Sequence, residues 1–255
     1  MRIVLWQSLI AVALVALWWG LTSSQVIAPF FFGEPAVVAQ RVAAWISSGK
    51  IFPHLGVTLI ETLLSFVIGA LLGLGGGLWL GLSQTSARLL DPYIKAVNAM
   101  PRVILAPIFA VWFGLGIWSK VMLGVTLVFF IVFFSVYHGV REVSAVVLDN
   151  ARMLGANRRQ LIRHVYLPSA MAWVFSSLHT SVGMAFVGAV VGEYLGSARG
   201  VGYLIMQAEG VFDVNTVIAG VLVLTLCALV LDKLVSMAER RLLKWRPNLS
   251  TEEGR

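Results

Sequence analysis

Charge is what this chain has least of. Asp, Glu, Lys and Arg together make up 12% of its 255 residues, while 59% are hydrophobic. Soluble domains carry roughly twice that share of charge. With a mean hydropathy of +0.88, too little polar surface exists to cover a water-soluble globule of this size. Cysteine is nearly absent as well. Cys227 stands alone in an apolar run, which excludes a disulfide scaffold and reads as a small buried hydrophobe. Phosphate-loop glycines are also lacking: no GxxxxGKS/T occurs, and Gly49-Lys50 is followed by Ile51. No Cys/His cluster has zinc spacing, and no Ser/His/Asp set can be assembled, so no catalytic residue and no bound cofactor is assigned. What these absences leave is an integral membrane protein.

Six stretches are free of charge: 3–33, 62–87, 103–119, 121–140, 164–192 and 214–231. A hydrocarbon core about 30 Å thick needs roughly 20 apolar residues as a helix. Each stretch therefore holds one span, with 103–119 only just long enough. The expected helices lie near 3–22, 60–82, 101–116, 120–139, 169–193 and 214–236. The runs are continuously apolar and do not alternate with period two, which favours helices over a barrel. The first span, with only Met1–Arg2 before it, is expected to be a retained helix and not a cleaved signal peptide.

An even number of spans puts both termini on one side. If that side is cytoplasmic, 15 Lys/Arg fall inside, Arg102, Lys244, Arg246 and Arg255 among them, against 4 outside, which are Arg41, Lys50, Lys120 and Arg199. The positive-inside rule then fixes the orientation with both termini cytoplasmic. The net charge of +7 is thus a topology signal and not a nucleic-acid surface, since no basic face with interleaved aromatics exists outside the membrane flanks.

The connecting segments carry pattern too. Within the outside loop 23–56, Pro35 suits a first helical turn, and Val37, Val38, Val42, Trp45 and Ile46 give one apolar face before Ser47-Ser48-Gly49. In span two, Gly69, Gly73, Gly77 and Gly81 recur every four residues on one stripe, as in small-residue helix interfaces. Such a stripe serves either fixed packing or a sliding surface. In span three Pro107 is expected to kink or break the helix, making it a structural bend or a pathway wall. The inside loop 144–168 reads as two short amphipathic helices around Gly155, the second opened by a capping-box-like Asn157-Arg158-Arg159-Gln160. It could lie on anionic lipid or dock a cytoplasmic partner.

Asp149-Asn150-Ala151-Arg152-Met153-Leu154-Gly155-Ala156, followed by Leu167-Pro168, resembles the EAA motif of ABC importer permeases. Pro107, Trp112-Phe113-Gly114-Leu115-Gly116, Ser119-Lys120, Glu193 and Arg199-Gly200-Val201-Gly202-Tyr203 resemble the nitrate/sulfonate/taurine branch. The likeness runs over about 30–241. Departures are Asp149 and Asn150 in place of Glu-Ala, Ser177-Leu178-His179 in place of Gly-Leu-Arg, and Glu61 where many relatives are basic.

The resemblance implies an all-α membrane protein of six transmembrane helices, the type I (MetI-like) ABC importer permease fold, as one permease domain over 1–255. It implies a bacterial inner-membrane location, a second permease copy, two cytoplasmic ATPases that bind the ATP and magnesium, and an extracytoplasmic substrate-binding protein. Membrane lipid completes the expected surroundings. The segment around Asp149–Ala156, with Leu167 and Pro168, becomes the ATPase-coupling element, and the cargo a small anion such as a sulfonate, taurine, nitrate or aromatic acid. Intramembrane ionisable groups are functional candidates by default. His179, Glu61 and Glu193, with Pro107, are therefore expected along the substrate pathway, and Glu193 is expected to hold an outer gate or the loop 196–202. A secondary transporter is the first alternative, but no second copy of the glycine stripe or of 149–168 is found. A non-transport membrane scaffold is the second.

Overall fold

Long apolar runs separated by proline, glycine and short polar turns fold into thirteen α-helices in a computed structural model that describes residues 2–242. α1 (Arg2–Ser23) lies at the periphery, where the Trp18 indole donates to the Phe32 carbonyl at 3.2 Å. α2 (Pro29–Phe32) and α3 (Pro35–Ser47) each open on a proline, whose missing N–H costs nothing in a first turn. α3 tucks Val38 inside and packs on the last helix. α4 (Ile51–Leu82) starts nine residues before the expected 60 and spans 32 residues, with Pro53 in its first turn. α5 (Gln84–Ala99) is capped by the Ser83 hydroxyl.

The third span differs from expectation. α5 and a second piece, a 3-10 turn (Arg102–Leu105) running into α6 (Ala106–Phe113), form a pair bent by 84°, the geometry of a broken span or of a re-entrant loop. The break falls at Met100-Pro101, not at Pro107. Pro107 occupies the first turn of α6, where no intrahelical bond is lost, so it introduces no kink. Counting the bent pair as one, the described residues hold up to six spans; the other five are single helices.

α7 (Ile117–Arg141) is the most enclosed helix and the axis of the bundle. Its valines at 128, 132, 136 and 140 meet the α4 glycines at 69, 73, 77 and 81 one for one. A short segment follows: α8 (Ala145–Met153), α9 (Arg158–Leu161) and a π turn (Ile162–Tyr166) that leads into α10 (Leu167–Ser176). The chain breaks once at Ser177 before α11 (Leu178–Leu195), which packs on α7 and α4. There Gly188 meets the Gly124 backbone, and Ser65 donates to the Val121 carbonyl at 3.2 Å. α12 (Val201–Gly210) and α13 (Val214–Leu242) close the bundle around Ile51, Phe186, Val201, Val223 and Leu224. The bundle thus has an α12 end and an α8 end. Lys244, Arg246 and Arg255, counted among the inside cations, lie outside the described residues.

Candidate functional site

At the α8 end, the chain makes a knuckle. Asp149, Asn150, Ala151 and Arg152 are on α8, with Arg152 paired to Asp149 at 3.2 Å. The helix stops because Gly155 takes φ +82°: its amide bonds the Arg152 carbonyl at 2.9 Å and the Ala156 amide bonds the Ala151 carbonyl at 3.0 Å. Those two bonds make a Schellman closure, which needs a left-handed residue where glycine stands. Asn157 and Gln160 then cap α9 reciprocally at 2.9 and 2.8 Å. Met153 and Leu154 project from the turn, 85% and 89% exposed. Behind them lies a cavity of about 360 Å³ lined by Ala151, Leu154, Gly155, Gln160 and His164. Leu167 and Pro168 form the first turn of α10.

Near the α12 end is a buried polar cluster. Glu193 is fully buried and accepts from the Thr58 hydroxyl at 2.6 Å and the Gly202 amide at 2.7 Å. The Thr58 oxygen also accepts from the Val201 amide at 3.2 Å. Gly200 is required here, since a side chain would collide with the Glu193 carboxyl. His54 bonds Gly200 at 3.1 Å and lies parallel to the Tyr203 ring. The buried Glu61 carboxyl and Lys120 ammonium lie near Glu193, close enough for their charges to act on one another. Lys120 itself donates to the carbonyls of Leu115 and Gly116 at 2.6 and 3.0 Å. Glu61 and Lys120 are each 1% exposed, and Glu61 Oε2 has no hydrogen-bond partner among the described residues. Among the described residues no ion pair joins Lys120 to either glutamate, so the cluster is held by its hydrogen bonds and by longer-range attraction, against a desolvation cost of several kcal/mol per ion.

Of the four residues expected along a pathway, the structure joins only Glu61 and Glu193. His179 is on α11 fourteen residues before Glu193, about 21 Å away along the helix. Its ring bridges to α13, bonding Asp232 at 3.1 Å and Glu239 at 2.8 Å beside a cavity of about 310 Å³. Pro107 belongs to neither group. Lys120 and Arg102 correct the sequence reading. Both were counted as loop cations, yet Lys120 is inside the bundle and Arg102 lies at the broken span, level with the middle of α7. The basic bias survives their removal. Lys120 could have been found from Ser119-Lys120 lying between two apolar runs; nothing local marks Arg102. Among the described residues, no group of three His, Cys, Asp or Glu side chains is placed to hold a metal ion.

Residues 69–244 match the model of the family described as binding-protein-dependent transport system inner membrane component. Among relatives, a protein designated SsuC, an aliphatic sulfonates transport permease of Bacillus subtilis, is 33% identical over 93% of this chain and 86% of its own. The taurine transport system permease protein TauC of Escherichia coli is 29% identical over 91% and 86%. The riboflavin transport system permease protein RibX of Chloroflexus aurantiacus is 32% identical over 85% and 81%. The fold matches an inward-facing methionine ABC transporter, MetNI, with a TM-score of 0.65 at 18% identity, covering 76% of this chain and 94% of that one.

Proposed function

The chain belongs to the binding-protein-dependent inner-membrane components, the permease subunits of ABC importers, and from that premise we propose that it passes a small organic anion by alternating access, driven through α8. It is a multi-pass inner-membrane protein and not an enzyme: ATP hydrolysis resides in a separate ATPase partner, and a substrate-binding protein supplies the cargo. A sulfonate is the first choice of cargo, because the SsuC and TauC relatives are named for sulfonates and taurine; a nitrate or an aromatic acid follows.

In this reading the α8 end is cytoplasmic, in line with 14 Lys/Arg against 3 once Arg102 and Lys120 are set aside from the 15 and 4. Segment 144–168 is the coupling loop, 23–56 the extracytoplasmic loop, and 1–255 one permease domain. Two copies of the chain sit on two ATPases that hold ATP and magnesium, surrounded by lipid. The observation that carries the coupling role is the knuckle, where two large apolar side chains stand almost fully in solvent on a turn rigidified from both sides. Exposed apolar side chains rimmed by polar ones mark docking sites. ATPase movement would then rock the spans as rigid bodies.

The test is co-purification in mild detergent. Wild-type chain is expected to carry a phosphate-loop ATPase at one copy per permease, and Leu154→Glu to lose it while remaining in the membrane. An ATPase retained in full by Leu154→Glu overturns the docking role.

A further inference from the structure

Among the described residues Arg102 has no counter-ion. It stands at the break of the third span, and its guanidinium carbon lies 4.6 Å from the centre of the Phe130 ring, midway along α7. Its Nη2 donates to the Asn98 carbonyl at 3.1 Å and to the Asn98 side chain, which pins the group in place. Its Nε is buried without a partner, and the ion pairs among the described residues all lie elsewhere. A charge at membrane depth is costly and normally faces a polar route or an opposite charge. Non-helical backbone there is tolerated only where it is covered by protein or lines a cavity.

The surroundings continue from this cation. Phe130, the ring beneath Arg102, also walls an apolar cavity of about 270 Å³ together with Trp79, Tyr93, Val97, Phe129 and Phe133. Phe129, Phe133 and Tyr137 stack in succession at 5.6 and 6.1 Å. At Tyr137 the wall turns polar, with Arg141 over that ring at 4.8 Å and Arg88 across a second cavity. The groove between α5 and α7 therefore passes from Phe130, which carries Arg102 on its face, along aromatic side chains to Arg88 and Arg141, with the Asp91 carboxylate, itself paired to Lys95 at 2.7 Å, also lining that far end.

We propose that Arg102 holds the anionic group of the substrate within the membrane, and that the aromatic-walled cavity receives its apolar body. The ligand class is an organic sulfonate or carboxylate with a small flat body. At about 270 Å³ the cavity lies just below the roughly 300–1,000 Å³ usual for ligand pockets, which suits a single ring and not a fused-ring system. This deepens the anion-importer reading and rests on it.

The test is initial uptake of labelled benzenesulfonate, benzoate and taurine in cells with the complete transporter. Wild type is expected to accumulate at least one of these anions. Arg102→Gln is expected to cut that uptake about tenfold or more, with Arg102→Lys recovering much of it, because a buried charge-assisted contact is lost and then partly restored. Val97→Trp, which fills the cavity, is expected to reduce benzenesulfonate uptake several-fold more than taurine uptake. Lys50→Gln serves as the surface-charge control, and immunoblots with ATPase co-purification check assembly. If Arg102→Gln fails to assemble, Arg102→Lys and Val97→Trp decide. Anion uptake at the wild-type rate in Arg102→Gln, or in an assembled Val97→Trp for both ring and non-ring anions, overturns the subsite and leaves the importer reading standing. A wild type that accumulates none of the three anions removes the anion reading, and the subsite with it.

Discussion

Gly77 and Val136 touch so closely that a Cβ on the glycine would lie 2.7 Å from that of the valine. The same contact recurs at Gly69–Val128, Gly73–Val132 and Gly81–Val140, each at 2.7–2.9 Å. Lipid tails are as apolar as these side chains, so the seam is held by close packing and not by apolar burial. Gly77→Leu is expected to force the helices apart and cost about 1–3 kcal/mol as overpacking. Gly75, one face away with open space around it, is the control: Gly75→Ala is expected to be neutral or slightly stabilising. Thermal unfolding of the detergent-purified chain separates the two, and equal melting temperatures would mean the seam is not rigid.

At the α8 knuckle the strain is conformational. Gly155 has φ +82° and nothing within 4 Å of where its Cβ would be. Gly155→Ala is therefore expected to cost about 1–2 kcal/mol of left-handed strain without any clash. The chain should reach the membrane, since only the last turn of α8 is affected. Gly155→Trp is expected to abolish transport-coupled ATP hydrolysis in the reconstituted transporter, because the knuckle then cannot seat. Normal substrate-stimulated hydrolysis in that variant would remove the coupling role from this turn.

Those two features were legible in the sequence because their chemistry is local. Four glycines at i+4 spacing define a stripe whatever they face, and Asn157 with Gln160 announces a cap within four residues. Lys120 and Arg102 were misread for an equally physical reason. A hydropathy scan treats every charge as the end of a span, so a charge inside the bundle looks like a boundary. The consequence was a third helix cut short at its own break, with α5 assigned to a loop. Pro107 failed on register: the same residue bends a helix interior and suits a first turn, and sequence alone does not set which. The α13 partners of His179 lie 53 and 60 residues away and the Thr58 partner of Glu193 lies 135 away, beyond any local pattern, whereas the Gly202 partner of Glu193 is only nine residues on, in the loop that Glu193 is expected to hold.

The Glu193 tie makes its own prediction. Glu193→Ala leaves the Gly202 amide without its acceptor and Lys120 with one carboxylate fewer, while the Thr58 hydroxyl still has the His54 carbonyl at 3.1 Å. Orphaning a buried donor costs about 1–3 kcal/mol. Glu193→Gln keeps one of the two acceptor oxygens and is expected to lose less. The nearby loop offers a direct readout, because Arg199 is exposed one residue before Gly200. Limited trypsin cleavage at Arg199 is expected to accelerate in the order wild type, Gln, Ala. Identical cleavage rates would show that the loop is held by something other than Glu193.

Asp213 gives the pH dependence. It caps α13 by accepting from the Thr216 amide at 3.0 Å and hydroxyl at 2.6 Å, and pairs with Arg41 of α3 at 3.2 Å. Partial burial alone would raise its carboxyl. The Thr216 bonds and the Arg41 charge outweigh that and hold it below the usual carboxylate value. A carboxyl lowered in the folded state stabilises above its unfolded value near 3.9, and that contribution is lost as pH falls through the lower folded value. The pair is well exposed, so the Arg41 contribution is screened and small, and the cap itself is worth about 1 kcal/mol. Asp213→Asn keeps a good capping side chain and removes only the charge. At neutral pH it is expected to lower stability by a few tenths of a kcal/mol. Below about pH 4 the gap to wild type is expected to start narrowing, and it closes once the pH falls below the lowered folded value, where the wild-type carboxyl is protonated too. Melting curves of both chains between pH 7 and pH 3 measure this directly, and a gap that widens on acidification would mean the carboxylate is not the stabilising form.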